Sequence, residues 1–414
     1  MGCSPTKESN PHKPKPIIGK NYLLQKITEH QGGINCMALS EDGSLLVTGS
    51  DDKTARMWST QSNPIECIGV MEGHTGYITC CVIHEQFVVT GSADHTIRKW
   101  MITTGDCVYV YEGHTSRISR VVCAGDYIFS TSSDTTARIW IFDVNDVGDI
   151  QGEACIRTLE KHTKATYPII FLSGDKESEE EEDNYEYKSS DEDIIITGSA
   201  DGTARSWSFD TGRCINTFYH NAPVNTMEAD PTGDMLFTAG GDSIIRCWNI
   251  ITGECIRQMR GHGGPIYTLM IHKRMLYSGS SDKTARAWAM EFGECTRVFS
   301  GHNHTVSCLR YFDGILYTAS GDTLGRMFEA KSGTMKRLFS GHTNAIICME
   351  VVPGKLFTGS YDGTIMVWDT TGVRDETVFG ADIFDRNQTS EPQLEDDSEE
   401  LQNAVKFLDP YIHD

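Results

Sequence analysis

No run of eighteen apolar residues occurs in the 414-residue chain, so the sequence offers no membrane-spanning helix, and its first twenty residues lack the apolar centre of a secretory signal. Positive charge is in short supply: 36 Lys and Arg face 58 Asp and Glu, a formal net charge of −22. No basic stripe runs along the chain, which disfavours nucleic acid as a partner. There is no Cys-x-x-Cys pair, no Gly-rich phosphate loop and no metal-ligand cluster, so neither a metal nor a cofactor is expected. Tryptophan is scarce, seven residues in all, and every one falls in the same recurring setting.

That setting is a stretch of eleven residues written eight times: Thr48–Trp58, Thr90–Trp100, Ser130–Trp140, Thr197–Trp207, Thr238–Trp248, Ser278–Trp288, Thr318–Phe328 and Thr358–Trp368. Each ends in an aromatic residue and carries an aspartate six residues earlier: Asp52, Asp94, Asp134, Asp201, Asp242, Asp282, Asp322 and Asp362. Successive aromatic residues lie 42, 40, 67, 41, 40, 40 and 40 residues apart, a period that signals one repeated structural unit. A histidine precedes each copy, His30, His74, His114, His162, His220, His262, His302 and His342, usually after glycine. It stands 26 or 28 residues before the aromatic in seven copies and 45 before it in the fourth. Locally each copy reads as strand, tight turn at the aspartate, and strand, with alternation at period two.

These landmarks resemble the WD-repeat β-propeller family, in which each repeat builds one four-stranded blade. The resemblance spans about residues 20 to 372, although the family's Trp-Asp ending is kept only at Trp368-Asp369. It implies an all-β fold, a single eight-bladed propeller. It also gives the recurring residues a structural role, a buried hydrogen-bond chain from Asp to His to Ser/Thr to the Trp indole. Phe328 has no indole donor, so the seventh copy should be incomplete. The same residue types make up a hydrolase set, but an active site is built once and this set is built eight times. Arg56, Arg98, Arg138, Arg205, Arg246, Arg286 and Arg326, two before the aromatic, are expected to stack on its ring. A heterotrimeric G-protein β-like subunit would have seven blades and a heptad-bearing N-terminal helix, whereas Pro5, Pro11, Pro14 and Pro16 interrupt this N-terminus.

Three segments carry most of the charge imbalance. Residues 1–20, Pro- and Lys-rich, are expected to be a disordered arm; residues 21–372 the propeller; residues 373–414 an acidic, largely disordered tail. Within the fourth repeat, residues 173–193 hold 11 acidic and 2 basic side chains, too dense a charge run to fold alone. The resemblance places this insert among the loops opposite the His and Asp turns. Residues 21–28 align with the outermost strand of a blade, so the two ends of the chain should close the ring near Val367 and Trp368, leaving no free sheet edge between them. Near the end of the tail, Leu401, Ala404, Val405 and Leu408 fall at helical spacing, the pattern of a short amphipathic segment that is either idle or a docking peptide rather than a domain.

Thirteen of the fourteen cysteines follow the repeat, and equivalent positions in neighbouring blades are too far apart for disulfides. A reduced, intracellular protein is expected. Cys67, Cys107, Cys155, Cys255 and Cys295, each seven residues before a landmark histidine, read as small apolar core sites. The exception, Cys3, follows Gly2 in Met1-Gly2-Cys3-Ser4-Pro5-Thr6, a match to the myristoylation pattern with a palmitoyl acceptor beside it. Together these features predict a monomeric, non-enzymatic protein-interaction scaffold, tethered by Gly2 and Cys3 to the cytoplasmic face of a membrane. Its acidic insert and tail would take basic protein surfaces and point away from the bilayer. The alternative is an enzyme or ligand-binding propeller that uses the central channel.

Overall fold

A computed structural model describes residues 22–144, 154–174 and 192–372. Within them 32 strands pair antiparallel into eight four-stranded sheets. Blade one shows the plan: Ile34–Leu39 innermost, then Leu45–Ser50, Ala55–Ser59 and, outermost, Glu66–Met71. The innermost strands of blades two to eight are Ile78–His84, Ile118–Ala124, Thr166–Leu172, Val224–Ala229, Ile266–His272, Val306–Phe312 and Ile346–Val352. Each touches the innermost strand of the blade before and after it, and the eighth touches the first, so the sheets form a closed ring around a channel.

The physical reason lies in which strands are covered. Second strands such as Leu45–Ser50 are buried on both faces, because a neighbouring blade packs on each side, and they read as apolar runs rather than alternating ones. Outermost strands alternate, as Glu66–Met71 does. Between blades the cores are wedges: Val47, Met57, Ile78, Val88 and Trp100 fill the one joining blades one and two. Close approach is needed there. A Cβ on Gly49 would lie 2.5 Å from the Ile78 side chain of the next blade.

The ring closes with the chain's first strand. Leu23–Ile27 lies antiparallel to Ile365–Asp369, with Leu23 opposite Trp368 and Ile27 opposite Ile365, as residues 21–28 were expected to do. Leu23, the Leu172–Ile194 pair that flanks the insert, and Gly372 all lie at the blade ends opposite the His and Asp turns. The arm, insert and tail therefore leave from one face, here called the bottom. Gly2, Cys3, most of the insert and the segment 401–414 lie outside the described residues.

The cysteine expectation changes. Cys107, Cys255 and Cys295 are exposed, and Cys67 and Cys155 are half-buried. They lie on the outermost strand, and in blades two, three and six the arginine of the third strand reaches the thiol, at 3.8 Å for Arg98 and Cys107, 3.6 Å for Arg138 and Cys155 and 3.9 Å for Arg286 and Cys295. All thirteen described cysteines are free.

Candidate functional site

The aspartate turn is built the same way in every blade. The residue after each aspartate is left-handed, from φ 62° at Ser243 to 81° at Gly202, which turns the chain sharply back into the third strand. In blade one the turn presents Asp52 to the connector arriving from blade eight. His30 Nδ1 lies 2.7 Å from Asp52 Oδ2, and His30 Nε2 lies 2.9 Å from Thr48 Oγ1, which also accepts from Trp58 Nε1 at 2.9 Å. The contacts have one consistent direction: indole N–H to hydroxyl, hydroxyl to Nε2, and Nδ1–H to carboxylate.

The same chain joins His74, Thr90, Asp94 and Trp100; His114, Ser130, Asp134 and Trp140; and His162, Thr197, Asp201 and Trp207. It recurs in His262, Ser278, Asp282 and Trp288, and in His342, Thr358, Asp362 and Trp368. Burial alone would raise the Asp52 carboxyl, but the His30 ring, the Thr54 hydroxyl and the Gln31 amide outweigh it and hold the group well below the usual carboxylate range. The histidines are at most 9 % exposed, so the set tethers each connector to its blade and offers no reacting atom to solvent.

Sequence reasoning missed one member of this set. Thr54, two residues after Asp52, donates to Asp52 Oδ1 at 2.7 Å, and Thr96, Thr136, Thr203, Thr284 and Thr364 do the same at 2.6 to 2.7 Å. The signal was an Asp-x-Thr spacing in six of the eight copies. Blades five and seven have Ile244 and Leu324 there, and in these two blades the arginine expected on the aromatic ring turns inward instead. Arg246 Nη1 sits 2.5 Å from Asp242 Oδ2 and 2.6 Å from His220 Nδ1, separating a His–Asp pair that is 3.5 Å apart. Arg326 contacts Asp322 Oδ2 at 3.0 Å and also His302 Nδ1. Both arginines are buried. A guanidinium has no lone pair, so His220 must accept at Nδ1 and donate from Nε2 to Thr238, 2.6 Å away, the tautomer opposite to that of blade one. Trp248 still donates to Thr238, whereas Thr318 has only His302, because Phe328 has no N–H.

The ring-stacked position holds for Arg98, Arg138 and Arg286, whose guanidinium carbons lie 5.8 to 6.0 Å from their indole centroids. Arg56 reaches Glu29 at 3.1 Å, Arg205 reaches Thr217 at 3.2 Å, and Met366 takes the place in blade eight.

Two unrepeated groups of polar residues remain. On the top face, at the channel mouth, Arg117 Nε donates to Ser133 Oγ at 3.1 Å and Nη1 to the Tyr77 hydroxyl at 3.4 Å. Asn35 donates to Asp51 Oδ1 at 2.8 Å, and a Cβ on Gly33 would touch both Tyr361 and Asp51. Burial pushes the Asp51 carboxyl up, against the pull of Asn35. Inside the channel, Arg310 grips Glu350 with two bonds, at 3.0 and 2.6 Å. Burial pushes the Glu228 carboxyl up to about 7, opposed by Arg310 and Arg120. Those three residues lie on the innermost strands of blades five, seven and three, so the two arginines act on Glu228 through the field across the channel rather than by contact.

Comparison with known proteins agrees with this geometry. The family described as WD domain, G-beta repeat matches residues 21–59, 65–101, 105–140, 212–249, 253–289, 293–328 and 333–369, passing over the repeat stretched by the insert. Mitochondrial division protein 1 of Schizosaccharomyces pombe is 25% identical over 211 residues, covering 50% of this chain and 25% of its own. Human WD repeat-containing protein 86 is 40% identical over 72 residues, covering 17% of this chain and 19% of its own. The chain thus spans about a quarter or less of the length of these relatives. Among solved structures, Saccharomyces cerevisiae Sqt1 superposes with a TM-score of 0.73 at 14% identity, covering 86% of this chain and 100% of its own. The computationally designed Ika8 protein does so with 0.72 at 21%, covering 84% and 100%. Identities this low carry the fold and nothing finer.

Proposed function

The chain belongs to the WD-repeat β-propeller family, and from that premise we propose that it is a non-enzymatic scaffold that gathers other proteins on its two faces. One observation carries the reading. In six of the eight blades the His, Asp and Ser/Thr side chains that could do chemistry are joined in the chain that fastens connector to blade, and in the other two a buried arginine enters that same set. Tyr77, Arg117, Asp51 and Tyr361 at the top mouth give one arc of the ring aromatic and ionic character. A rigid frame with variable loops suits recognition.

The proposal extends to a membrane tether at Gly2 and Cys3 on the cytoplasmic face. A single myristoyl chain binds bilayers with a constant of only about 10⁴ per molar, so stable attachment needs a second chain on Cys3. The acidic insert and tail suit basic partners, whose binding should weaken as salt rises. Proximity labelling in cells with wild type beside Gly2→Ala tests the reading. Wild type should sediment with membranes and label a consistent set of neighbours, while Gly2→Ala should be soluble and lose the membrane-proximal subset. A soluble wild type with an unmodified N-terminal glycine by intact mass sinks the tether; labelling no stronger than that of an unrelated soluble protein sinks the scaffold. The channel carboxylate Glu228, opposite Arg120 and Arg310, favours a second reading as a ligand-binding channel, which native mass spectrometry of purified protein tests by looking for a retained small molecule.

A further inference from the structure

Between blades seven and eight the bottom face opens into a cleft of about 580 Å³. Its origin is a single repeated position, the second residue after the aromatic of each third strand. Blades two to six have Ile102, Phe142, Phe209, Ile250 and Met290 there. Such a side chain plugs the wedge toward the preceding blade: Phe142 packs edge-on against Phe87 at 5.6 Å, and Phe209 against Tyr127 at 4.8 Å. Where blade seven has Ala330, Tyr311 stacks on His272 at 4.0 Å and fills the wedge, and where blade one has Thr60, Ile65 packs in with Val352. Blade eight has Thr370, whose side chain bonds Tyr317 of blade seven but adds no apolar bulk beyond it, and the cleft stays open beside Ile315 above the buried Tyr317 and Met327, with Phe312 at its edge, 37 % exposed.

We propose that this cleft is the docking site for the chain's own C-terminal stripe, Leu401, Val405 and Leu408. Three observations select that occupant. Gly372, the residue from which the tail departs, is itself part of the cleft wall. The tail's apolar residues keep helical spacing in sequence over 401–408, whereas the earlier cluster at Val378, Phe379, Ile383 and Phe384 is interrupted by Gly380 and Asp382. The cleft rim carries Asp313 and Glu329 beside Lys336, which lies 3.5 Å from Glu329, so the third observation is reach rather than charge: residues 373–400 link Gly372 to the stripe. A random coil of 28 residues spans about 30 Å end to end, so residues 373–400 are enough chain to reach back, and a link of that length gives an effective concentration in the millimolar range. Docking in cis therefore needs only weak intrinsic affinity.

The test uses the full-length chain in three forms: wild type, Leu401→Asp/Leu408→Asp, and Thr370→Phe, which copies the plug of blades three and four. Hydrogen exchange of residues 313–315 and 370–372 should be at least about fivefold slower in wild type than in the aspartate variant, independent of protein concentration. A labelled peptide of residues 401–414, followed by anisotropy, should bind the aspartate variant, bind wild type at least tenfold more weakly, and not bind Thr370→Phe. Thr370→Ile, after Ile102 and Ile250, replaces Thr370→Phe if that variant melts early. Equal exchange in wild type and the aspartate variant overturns the proposal, as does peptide binding that ignores the plug. Protection that grows with protein concentration overturns it in favour of a second copy.

Discussion

At the scale of single residues, the two inward arginines separate interactions that look alike in sequence. Arg246 is the donor that blade five lacks because Ile244 stands where six blades have threonine. Removing one partner of a buried ion pair costs about 3 kcal/mol, so Arg246→Ala should lower unfolding stability by roughly that amount. Arg98→Ala, which loses a ring contact and a long contact to the Cys107 thiol at 3.8 Å but no ion pair, should cost about 0.5–1 kcal/mol. In the Arg246→Ala background, Ile244→Thr should restore part of the loss by supplying the missing hydroxyl, and chemical denaturation of the four proteins checks this. Strictly additive effects would contradict the substitution of arginine for threonine.

The buried histidines and Glu228 pull the pH dependence in opposite directions. Burial pushes His114, His220 and His302 down against the raising bonds from their aspartates. A base kept neutral this way contributes stability that is lost as pH falls through its unfolded value near 6.5. The network aspartates, held low, contribute stability above about 3.9 that is lost on further acidification. Glu228 is raised, so its contribution is present at low pH and lost as pH climbs through about 7. Glu228→Gln should therefore raise the melting temperature at pH 8 and change it little at pH 5, whereas wild type should lose stability from pH 7.5 to 5.5. A Glu228→Gln profile parallel to wild type across this range would refute the channel assignment.

At the scale of strands and turns, the left-handed residue of the aspartate turn is glycine in only two blades, Gly202 and Gly363. Thr135 adopts φ 77° with a β-branched side chain, a conformation that costs of order 1 kcal/mol or more. Thr135→Gly should raise stability by about 1 kcal/mol, while Gly49→Ala, which places a methyl against Ile78, should lower it by about 1–3 kcal/mol; thermal melts of the two read out both signs. The elements themselves were legible because the spacing of His, Asp and aromatic residues locks strand to turn to strand, and the closing strand was legible because residues 21–28 aligned with later outermost strands. The inward arginines were not. Their sequence neighbours match those of Arg98, and only the loss of a hydroxyl two residues after the aspartate, felt through space, sends them to the carboxylate. The exposure of Cys107 and the field of Arg120 and Arg310 on Glu228 were hidden for a similar reason. A strand pattern says which face a residue takes, but not what stands across an edge or a channel.

At the scale of the whole molecule, stability should depend on the first strand far more than on the arm before it. Deleting residues 1–28 removes the partner of Ile365–Asp369 and exposes its ladder, whereas deleting residues 1–18 leaves every described strand in place. The longer truncation should melt earlier and less cooperatively, and equal melting temperatures would show that ring closure contributes nothing.

The closing pair also sets a waiting time. Leu23–Ile27 is made well before its partner Ile365–Asp369. At about 5–20 residues per second, the roughly 340 intervening residues take about 17–70 s to synthesise. Through that interval blade one has no blade eight beside it, and Ile34 and Leu46 lack the cover of Phe357 and Ile365. Nascent chains held short of residue 365 should therefore recruit chaperones that bind apolar surface, and chains released past residue 372 should shed them together, in one step, as the circle shuts.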